Sequence, residues 1–525
     1  MKKRNLFIPI IAVSGAVAML ASCSSGHDPY ANLDFDVDIS GASITMWTPF
    51  GAEMHAVVEQ YVEQWSAITG VTVEIEAKSG YDTLKSAVAE SATSGSYPNI
   101  TFAYPDHMAS YVGSDILLRL DKYFAEGANT KYSFASDSPE FKISDFYTDY
   151  MRENQSVEFD ENGDGYTLGV PFNKSTEVLT YNKTFFEFAA EIDPEIHVPA
   201  TWDELDTMAE KILNLMETRD YYKHYVGIDK NIYDTNAAAV AATGEDALFD
   251  FHSVLDPKKV TSENSVYGFR PLGRDSLSNF FITSLRQYGG EYTTVDKATR
   301  EGKILFNSNE TKTALIDLQN RYNNHYFGIA GTWGESKYCS NPFSAMNCVM
   351  TIGSSAGADS NAPKGGKFDV ACAPILYKDG SHKYVISQGT NLVLLDKGTN
   401  AERIASWELL KYLTKYANGG FAKDTGYFPT CEYAFNSAAY QSFFSKTPRS
   451  TSDKINLSAA KVNRDEYTNP SSNWTKFVDA AFDGSSTVRT AVESAIGLIT
   501  IGLNGSQQTP EKVLTDLVNE LSDYQ

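Results

Sequence analysis

The chain has 525 residues, more than one hydrophobic core comfortably holds, so we expect at least two structural units. Hydrophobic residues make up 42% and charged residues 21%, a composition that excludes a disordered chain and a polytopic membrane protein. The formal net charge of −23 repels polynucleotides, so we exclude nucleic acid as a partner and attribute the charge to solubility outside the cell.

The N-terminal residues have the pattern of a leader. A basic start is followed by an apolar stretch at residues 6–20 that is too short to span a bilayer as a finished helix. It ends in the letters LASC at residues 20–23, which resemble a bacterial lipoprotein signal. We therefore predict a signal peptide over residues 1–22, lipidation of Cys23 and a flexible tether over residues 23–42. An ordinary secretory signal with a chance cysteine is the alternative.

The next part of the chain alternates between strand and helix. An apolar strand at residues 44–47 precedes apolar residues at helical spacing over 54–68, and residues 71–76 then alternate between apolar and polar. A second helix begins at Tyr81, and a third strand covers residues 100–104. This alternation predicts a parallel α/β sheet, whose ligand crevice lies beyond the carboxyl ends of its strands.

Later segments continue this pattern less regularly. Thr201 and Glu204 stand at capping-box spacing and begin a helix. The segment 230–264 has weak periodicity, and we interpret it as an insertion of unknown use. The patterns predict helices over residues 276–288, 312–322 and 401–415, and strands over residues 348–352 and 391–395.

We predict no metal site. Residues 160–165 imitate the opening of a calcium loop, but Pro171 occupies the position that should carry a bidentate glutamate, so we prefer a turn between two strands. The later cysteines do not have the spacing of a metal site either: Cys339, Cys348, Cys372 and Cys431. Buried free thiols and a bridge between Cys339 and Cys348 remain open alternatives.

Several landmarks occur together in one order: ITMW at residues 44–47, GSYPNI at 95–100, GVP at 169–171, PATWDEL at 199–205 and TGYFP at 425–429. In order and spacing they resemble the extracellular solute-binding proteins of ABC importers, of the maltose-binding type. The resemblance covers nearly the whole chain after the leader. Within that family the chain is most similar to the glycerol-3-phosphate-binding branch, through Tyr81, residues 171–176 and residues 425–427.

The resemblance implies an α/β, two-lobed periplasmic-binding-protein-like fold of type II, with discontinuous lobes, a hinge and an interlobe cleft. We expect one lobe to comprise residues 43–168 plus 387–425, and the other residues 169–386 plus 426–525. The chain would cross between them near residues 168–171, 386–390 and 423–427.

The resemblance also implies a function. The chain would be a substrate-binding lipoprotein at the cell surface or in the periplasm, acting as a monomer without a cofactor. It would capture a sugar or another carbohydrate-like solute and deliver it to the permease subunits of an ABC importer. Glycerol-3-phosphate or a glycerophosphodiester is the alternative ligand.

Two departures from the branch favour a neutral sugar. The branch carries an acidic residue directly after the tyrosine of its third strand, whereas here Pro105 intervenes before Asp106. The branch also carries an arginine that holds phosphate, but the corresponding residues 481–484 are not basic, and Arg489 is the nearest candidate. A phosphate held without arginine would need backbone amides or Lys174.

A serine hydrolase is the enzyme alternative. Residues 353–357 match G-x-S-x-G directly after a predicted strand, which would make Ser355 the nucleophile. His382 is the only histidine downstream, in a predicted hairpin beside Asp379, and this context does not fit a catalytic triad. We therefore expect no enzymatic activity.

We expect ligand contacts from both lobes, because only a ligand that touches both stabilises the closed state. The candidates in the first lobe are Trp47, Thr48, Tyr81 and Asp106. Those in the second are Ser175, Trp333, Ser354 and Ser355, joined by Gly389 and Tyr427 near the later crossings. The resemblance implies Tyr81, Ser175, Ser354, Ser355, Gly389 and Tyr427. Trp47, Thr48 and Trp333 rest on their placement in predicted crevice loops.

Overall fold

The computed structural model describes residues 28–216 and 269–525, which form two lobes, each built on a five-stranded sheet. The predicted signal peptide, Cys23 and the segment 230–264 lie outside the described residues. No helix within the described ranges is long and apolar enough to cross a bilayer.

The strands are β1 (Ser43–Thr48), β2 (Thr72–Ala77), β3 (Ile100–Ala103), β4 (Val170–Pro171), β5 (Glu177–Asn182), β6 (Leu272–Arg274), β7 (Thr293–Val295), β8 (Gly302–Ile304), β9 (Phe327–Ile329), β10 (Met350–Ser354), β11 (Val370–Ala373), β12 (Tyr384–Ile386), β13 (Asn391–Leu394) and β14 (Thr475–Phe477).

The helices are α1 (Ala52–Thr69), α2 (Tyr81–Ala92), α3 (Pro105–Gly113), α4 (Asp121–Glu126), α5 (Thr148–Arg152), α6 (Lys183–Ile192), α7 (Trp202–Met216), α8 (Leu277–Gln287), α9 (Asn309–Asn323), α10 (Ser340–Ser344), α11 (Asn400–Lys411), α12 (Asn418–Thr425), α13 (Glu432–Asn436), α14 (Ala438–Phe444), α15 (Thr451–Val462), α16 (Ser485–Thr500) and α17 (Pro510–Glu520).

The first lobe contains the sheet β2-β1-β3-β13-β4. Strand β1 pairs in parallel with β2 and β3, as the alternating pattern predicted. Strand β13 comes from a distant part of the chain and runs antiparallel to both β3 and β4, so the sheet is mixed rather than wholly parallel. Its core includes two fully buried tryptophans, Trp65 and Trp407.

The second lobe contains the sheet β11-β5-β10-β6-β9. Strands β10, β6 and β9 are parallel, whereas β5 is antiparallel to β10 and to β11. A separate hydrophobic core surrounds this sheet. The two sheets and their separate cores agree with the two-lobed α/β fold expected from the sequence.

The predicted helix starts and turns can be compared with individual contacts. The hydroxyl of Thr201 accepts a hydrogen bond from the Glu204 amide at 3.0 Å, as the capping-box spacing predicted for the start of α7.

Asp160 Oδ1 accepts hydrogen bonds from the amides of Asn162 and Asp164, both at 2.9 Å, within a turn whose two flanking residues pair. This is the turn preferred over a calcium loop. The four later cysteines are free thiols in the structure.

Three segments carry the chain between the lobes. The first runs from β4, which still pairs with β13 in the first sheet, to β5 in the second. The second joins β12 to β13 and pairs with the first segment through Ser175 and Gln388. Cys431 lies in the first core, so the last crossing follows that residue. The exact lobe boundaries stay predictions.

Lys174 connects these segments. Its ammonium group forms a fully buried ion pair with Glu153 and donates a hydrogen bond to the Gly389 carbonyl at 3.0 Å. Its own carbonyl accepts a hydrogen bond from the Phe428 amide at 2.8 Å. Burial, only partly offset by Glu153, lowers the pKa of Lys174. Since Lys174 is paired with Glu153 inside the hinge, Lys174 is not available to hold a phosphate, which was one of the roles that the sequence left open for it.

Residues 28–42 differ from the expected flexible tether because they pack against the first lobe. The Tyr30 hydroxyl accepts a hydrogen bond from the Arg119 amide at 2.7 Å. Phe35 meets the edge of Tyr123, with ring centroids 5.7 Å apart, and Ile39 is buried in the first core. The apolar residues Phe35, Val37 and Ile39, which alternate with two aspartates, make this packing.

Gly389 is the glycine that the hinge requires. Its φ is +88°, which favours glycine, and a Cβ there would lie against the Asn173 carbonyl oxygen, far inside contact distance. We expect Gly389→Ala to lower the free energy of unfolding by roughly 3 kcal/mol, measured by urea denaturation.

Gly357→Ala is the matched control, because Gly357 is exposed and a Cβ there would meet no heavy atom within 4 Å. We expect it to change the free energy of unfolding by less than about 0.5 kcal/mol. Equal urea midpoints for the two variants would contradict the assigned role of Gly389.

Candidate functional site

The candidate site is the cleft between the two lobes, where side chains of both lobes interact. The carboxyl ends of β1 and β3 lie at one edge of the first sheet, and those of β6 and β10 at one edge of the second. Ligands of open α/β sheets bind beyond such edges. The lobes touch across this cleft, since Lys85 on α2 donates a hydrogen bond to the Ser486 hydroxyl on α16 at 2.9 Å.

Three tyrosines of the first lobe form a cluster that we call the tyrosine group: Tyr81, Tyr104 and Tyr427. The rings of Tyr81 and Tyr104 have centroids 5.0 Å apart, and Tyr81 accepts a hydrogen bond from Asn173 Nδ2 at 3.0 Å. Burial raises the pKa of Tyr81 and of Tyr104, and Tyr427 raises both further. Their hydroxyl groups therefore stay protonated, so each can donate and accept hydrogen bonds.

Two glycines place members of this group. Gly80 precedes α2 with a φ of +139°, so Tyr81 is the first residue of the helix. Gly426 ends α12 in the left-handed region, with a φ of +76°. Tyr427 follows it and stacks on Phe421, with ring centroids 5.9 Å apart. Turn signals in the sequence thus position these two rings at the cleft.

The second lobe contributes an ion pair. Arg489 on α16 donates from Nη1 to Asp479 Oδ2 at 2.5 Å and from Nη2 to Asn279 Oδ1. The side chain of Arg489 keeps 36% of its exposure and that of Asp479 keeps 16%. A guanidinium has five donors, so some of those on Arg489 remain for a ligand.

Charges from both lobes act on Arg489. Burial lowers the pKa of this guanidinium, but Asp479, Tyr292 and the first-lobe residue Asp106 raise it, and the net direction is upward. Burial raises the pKa of Tyr104, whereas the charge of Arg489 lowers it. Asp106 and Tyr104 therefore share the cleft with Arg489.

The structure brings together three of the residues predicted from sequence. Tyr81, Tyr427 and Asp106 lie in the cleft just described. Ser175 and Gly389 lie beside it in the hinge, where Ser175 exchanges backbone hydrogen bonds of 3.0 and 2.9 Å with Gln388. Contact between any of these residues and a ligand stays a prediction.

Trp47 and Thr48 lie at the end of β1. Trp47 is half-buried, and the Lys78 ammonium lies 3.8 Å from its ring centroid. Thr48 is fully buried, with its hydroxyl 2.8 Å from His55 Nδ1. The Thr48 hydroxyl is thus engaged within the first lobe, and ligand contact by these two residues also stays a prediction.

The remaining predicted residues belong to the second lobe. Ser354 is half-buried at the end of β10. Ser355 is 1% exposed, and its hydroxyl accepts a hydrogen bond from the Thr176 amide at 3.1 Å. Trp333 is 4% exposed and packs in the second core, where a Cβ on Gly328 would lie 2.6 Å from its ring. These contacts give Ser355 and Trp333 packing roles, and their ligand contacts stay predictions.

The geometry does not support the serine hydrolase alternative. A catalytic serine needs a histidine that accepts its proton. His382 Nδ1 instead lies 2.9 Å from Asp379 Oδ1 in a turn, and within the described residues no hydrogen bond joins this histidine to Ser355.

Sequence reasoning did not select several residues of this cleft. Tyr104 follows the third strand and could have been chosen on that ground, as Asp106 was. Arg489 was noted only as the basic residue nearest to the expected position. Asp479 and Asn279 carry no local signal, because contacts between distant segments bring them to Arg489.

The chain is similar to known proteins along most of its length. Residues 56–445 match the family model described as bacterial extracellular solute-binding protein. The sn-glycerol-3-phosphate-binding periplasmic protein UgpB of Shigella dysenteriae is 22% identical over 412 residues, covering 77% of this chain and 78% of that protein.

Solved structures share the fold at low sequence identity. UgpB from Mycobacterium tuberculosis, in complex with glycerophosphocholine, has a TM-score of 0.61 and 15% identity, covering 92% of this chain and 98% of that one. Lmo0181 from Listeria monocytogenes, in complex with cycloalternan, has a TM-score of 0.60 and 15% identity, covering 92% and 100%. The sugar-binding protein MalE from Xanthomonas citri has a TM-score of 0.61 and 13% identity, covering 92% and 97%.

Proposed function

Because the chain belongs to the bacterial extracellular solute-binding protein family, we propose that it captures a carbohydrate-like solute between its lobes and delivers it to the permease of an ABC importer. The observation that carries the proposal is the cleft itself. Its first-lobe side presents the tyrosine group and Asp106, and its second-lobe side presents Arg489 and Asp479.

Carbohydrate recognition needs this combination of side chains. Aromatic rings stack on the C–H faces of sugars, and planar polar groups bind pairs of hydroxyls. A ligand that contacts both lobes favours the closed arrangement, which gives a permease a state to recognise. The family is one of binding proteins, and we propose no catalytic step.

Glycerol-3-phosphate or a glycerophosphodiester is the second candidate. Arg489 in the cleft favours it, because guanidinium groups bind phosphate bidentately. The names of the UgpB relatives point the same way, although their identity to this chain is low. Mass spectrometry of the solute carried by the purified protein distinguishes the two candidates.

The tyrosine group offers a direct test once the solute is known. Tyr427→Ala removes a stacked aromatic from the cleft, so we expect binding to weaken by roughly 2 kcal/mol, or about 30-fold in Kd, by isothermal titration calorimetry. Tyr132→Ala is the matched control, because Tyr132 stacks on Phe134 in the first lobe, with ring centroids 5.7 Å apart, and does not belong to the tyrosine group; the Kd of this variant should not change. Native affinity of Tyr427→Ala at an unchanged melting temperature would place the site elsewhere.

We also propose that Cys23, outside the described residues, carries a lipid that anchors the protein to the membrane. Cys23→Ala should move the protein from the membrane fraction to the soluble fraction without changing solute affinity, since the packed chain begins after this residue. A variant that stays with the membranes would contradict the anchor.

A further inference from the structure

Asp479 neutralises the cation that the cleft offers. Its Oδ2 accepts the 2.5 Å hydrogen bond from Arg489, and the carboxylate of Asp106 acts on the same guanidinium from the other lobe. The charge of Arg286 also acts on Asp479. The guanidinium that would hold a phosphate is thus already paired with a carboxylate.

The second oxygen of Asp479 is a free acceptor. Oδ1 is buried and has no hydrogen-bond partner among the residues the structure describes. Leaving a buried acceptor unpaired costs free energy, which water or a ligand recovers by donating a hydrogen bond to it. Beside this oxygen, Arg489 has five N–H donors, of which the bonds to Asp479 and Asn279 use two.

A hydroxyl group meets both demands, because it donates one hydrogen bond and accepts others. A phosphate dianion can only accept, so it would satisfy Arg489 while facing the Asp479 carboxylate with like charge. Hydroxyl-bearing and phosphorylated ligands therefore differ most in how they interact with Asp479.

We propose that Asp479 is the specificity-determining residue of the cleft, selecting uncharged ligands rich in hydroxyls and rejecting phosphorylated ones. This inference rests on the proposed function and adds the residue that selects the solute by its charge. It assigns Arg489 to hydroxyl binding for as long as Asp479 is ionised.

The test is Asp479→Asn, which keeps the shape of the side chain and removes its charge. We expect wild-type protein to bind glycerol-3-phosphate and inorganic phosphate weakly or not at all. The variant should bind glycerol-3-phosphate about 10-fold tighter than wild type or better, and should lose about 10-fold in affinity for the neutral sugar that wild type binds. Calorimetry with these two phosphates and a panel of neutral mono- and oligosaccharides measures both changes.

Asp453→Asn is the matched control, because Asp453 also forms an ion pair, with Lys446 at 2.8 Å, but is not one of the cleft residues described above. It should leave both affinities unchanged. If Asp479→Asn does not fold, wild-type protein still supplies a test. A sugar that it binds must have a Kd about 10-fold lower than that of the phosphate ester of the same sugar.

The outcomes separate the two claims. Wild-type protein that binds glycerol-3-phosphate as tightly as the variant, or a sugar phosphate as tightly as the sugar, overturns the role of Asp479 and leaves the receptor function standing. Wild-type protein that binds no carbohydrate overturns the carbohydrate proposal, whatever Asp479→Asn does.

Discussion

The buried ion pair between Lys174 and Glu153 is the interaction on which the two-lobed arrangement depends. Through this lysine the first crossing segment is joined to the first lobe, to the Gly389 carbonyl in the second crossing and to the Phe428 amide. Removing one partner of such a pair leaves an uncompensated buried charge, which typically costs about 3–5 kcal/mol. The segments that connect the lobes are therefore held by charge and hydrogen bonding as well as by apolar packing.

The residue before this lysine links the hinge to the cleft. Asn173 Oδ1 accepts hydrogen bonds from the amide and hydroxyl of Thr390, at 3.2 and 2.5 Å, while its Nδ2 donates to Tyr81 in the tyrosine group. A ligand that repositions Tyr81 acts on a side chain held by two crossing segments. Under the proposed function, this direct contact would couple binding to lobe closure, which is the physical requirement for a ligand to shift the population of a closed state.

Local patterns predicted the elements well where one face of an element is covered, at least in part, and the other is exposed. Strand β2 and the capping box of α7 are examples, since their signals lie within a few residues. Pairing between distant strands could not be predicted, because nothing local to β13 indicates that it enters the first sheet antiparallel.

The same limit applies to the site. Tyr81 and Tyr427 follow glycines that mark turns, whereas Asp479 meets Arg489 only through the fold. Trp333 shows the converse, because a tryptophan after a strand can pack in a core as readily as it can line a crevice.

The central claim is that a solute closes the two lobes over the cleft. The most direct measurement is the distance between spin labels at Glu90 on α2 and Thr490 on α16, which are exposed residues on opposite sides of the cleft. Electron–electron double resonance would be recorded on a soluble chain that lacks Cys23 and carries Cys372→Ser, because Cys372 is half-buried. The account predicts a longer, broader distance distribution without solute and a single shorter distance with it. Identical distributions in the two conditions would contradict it.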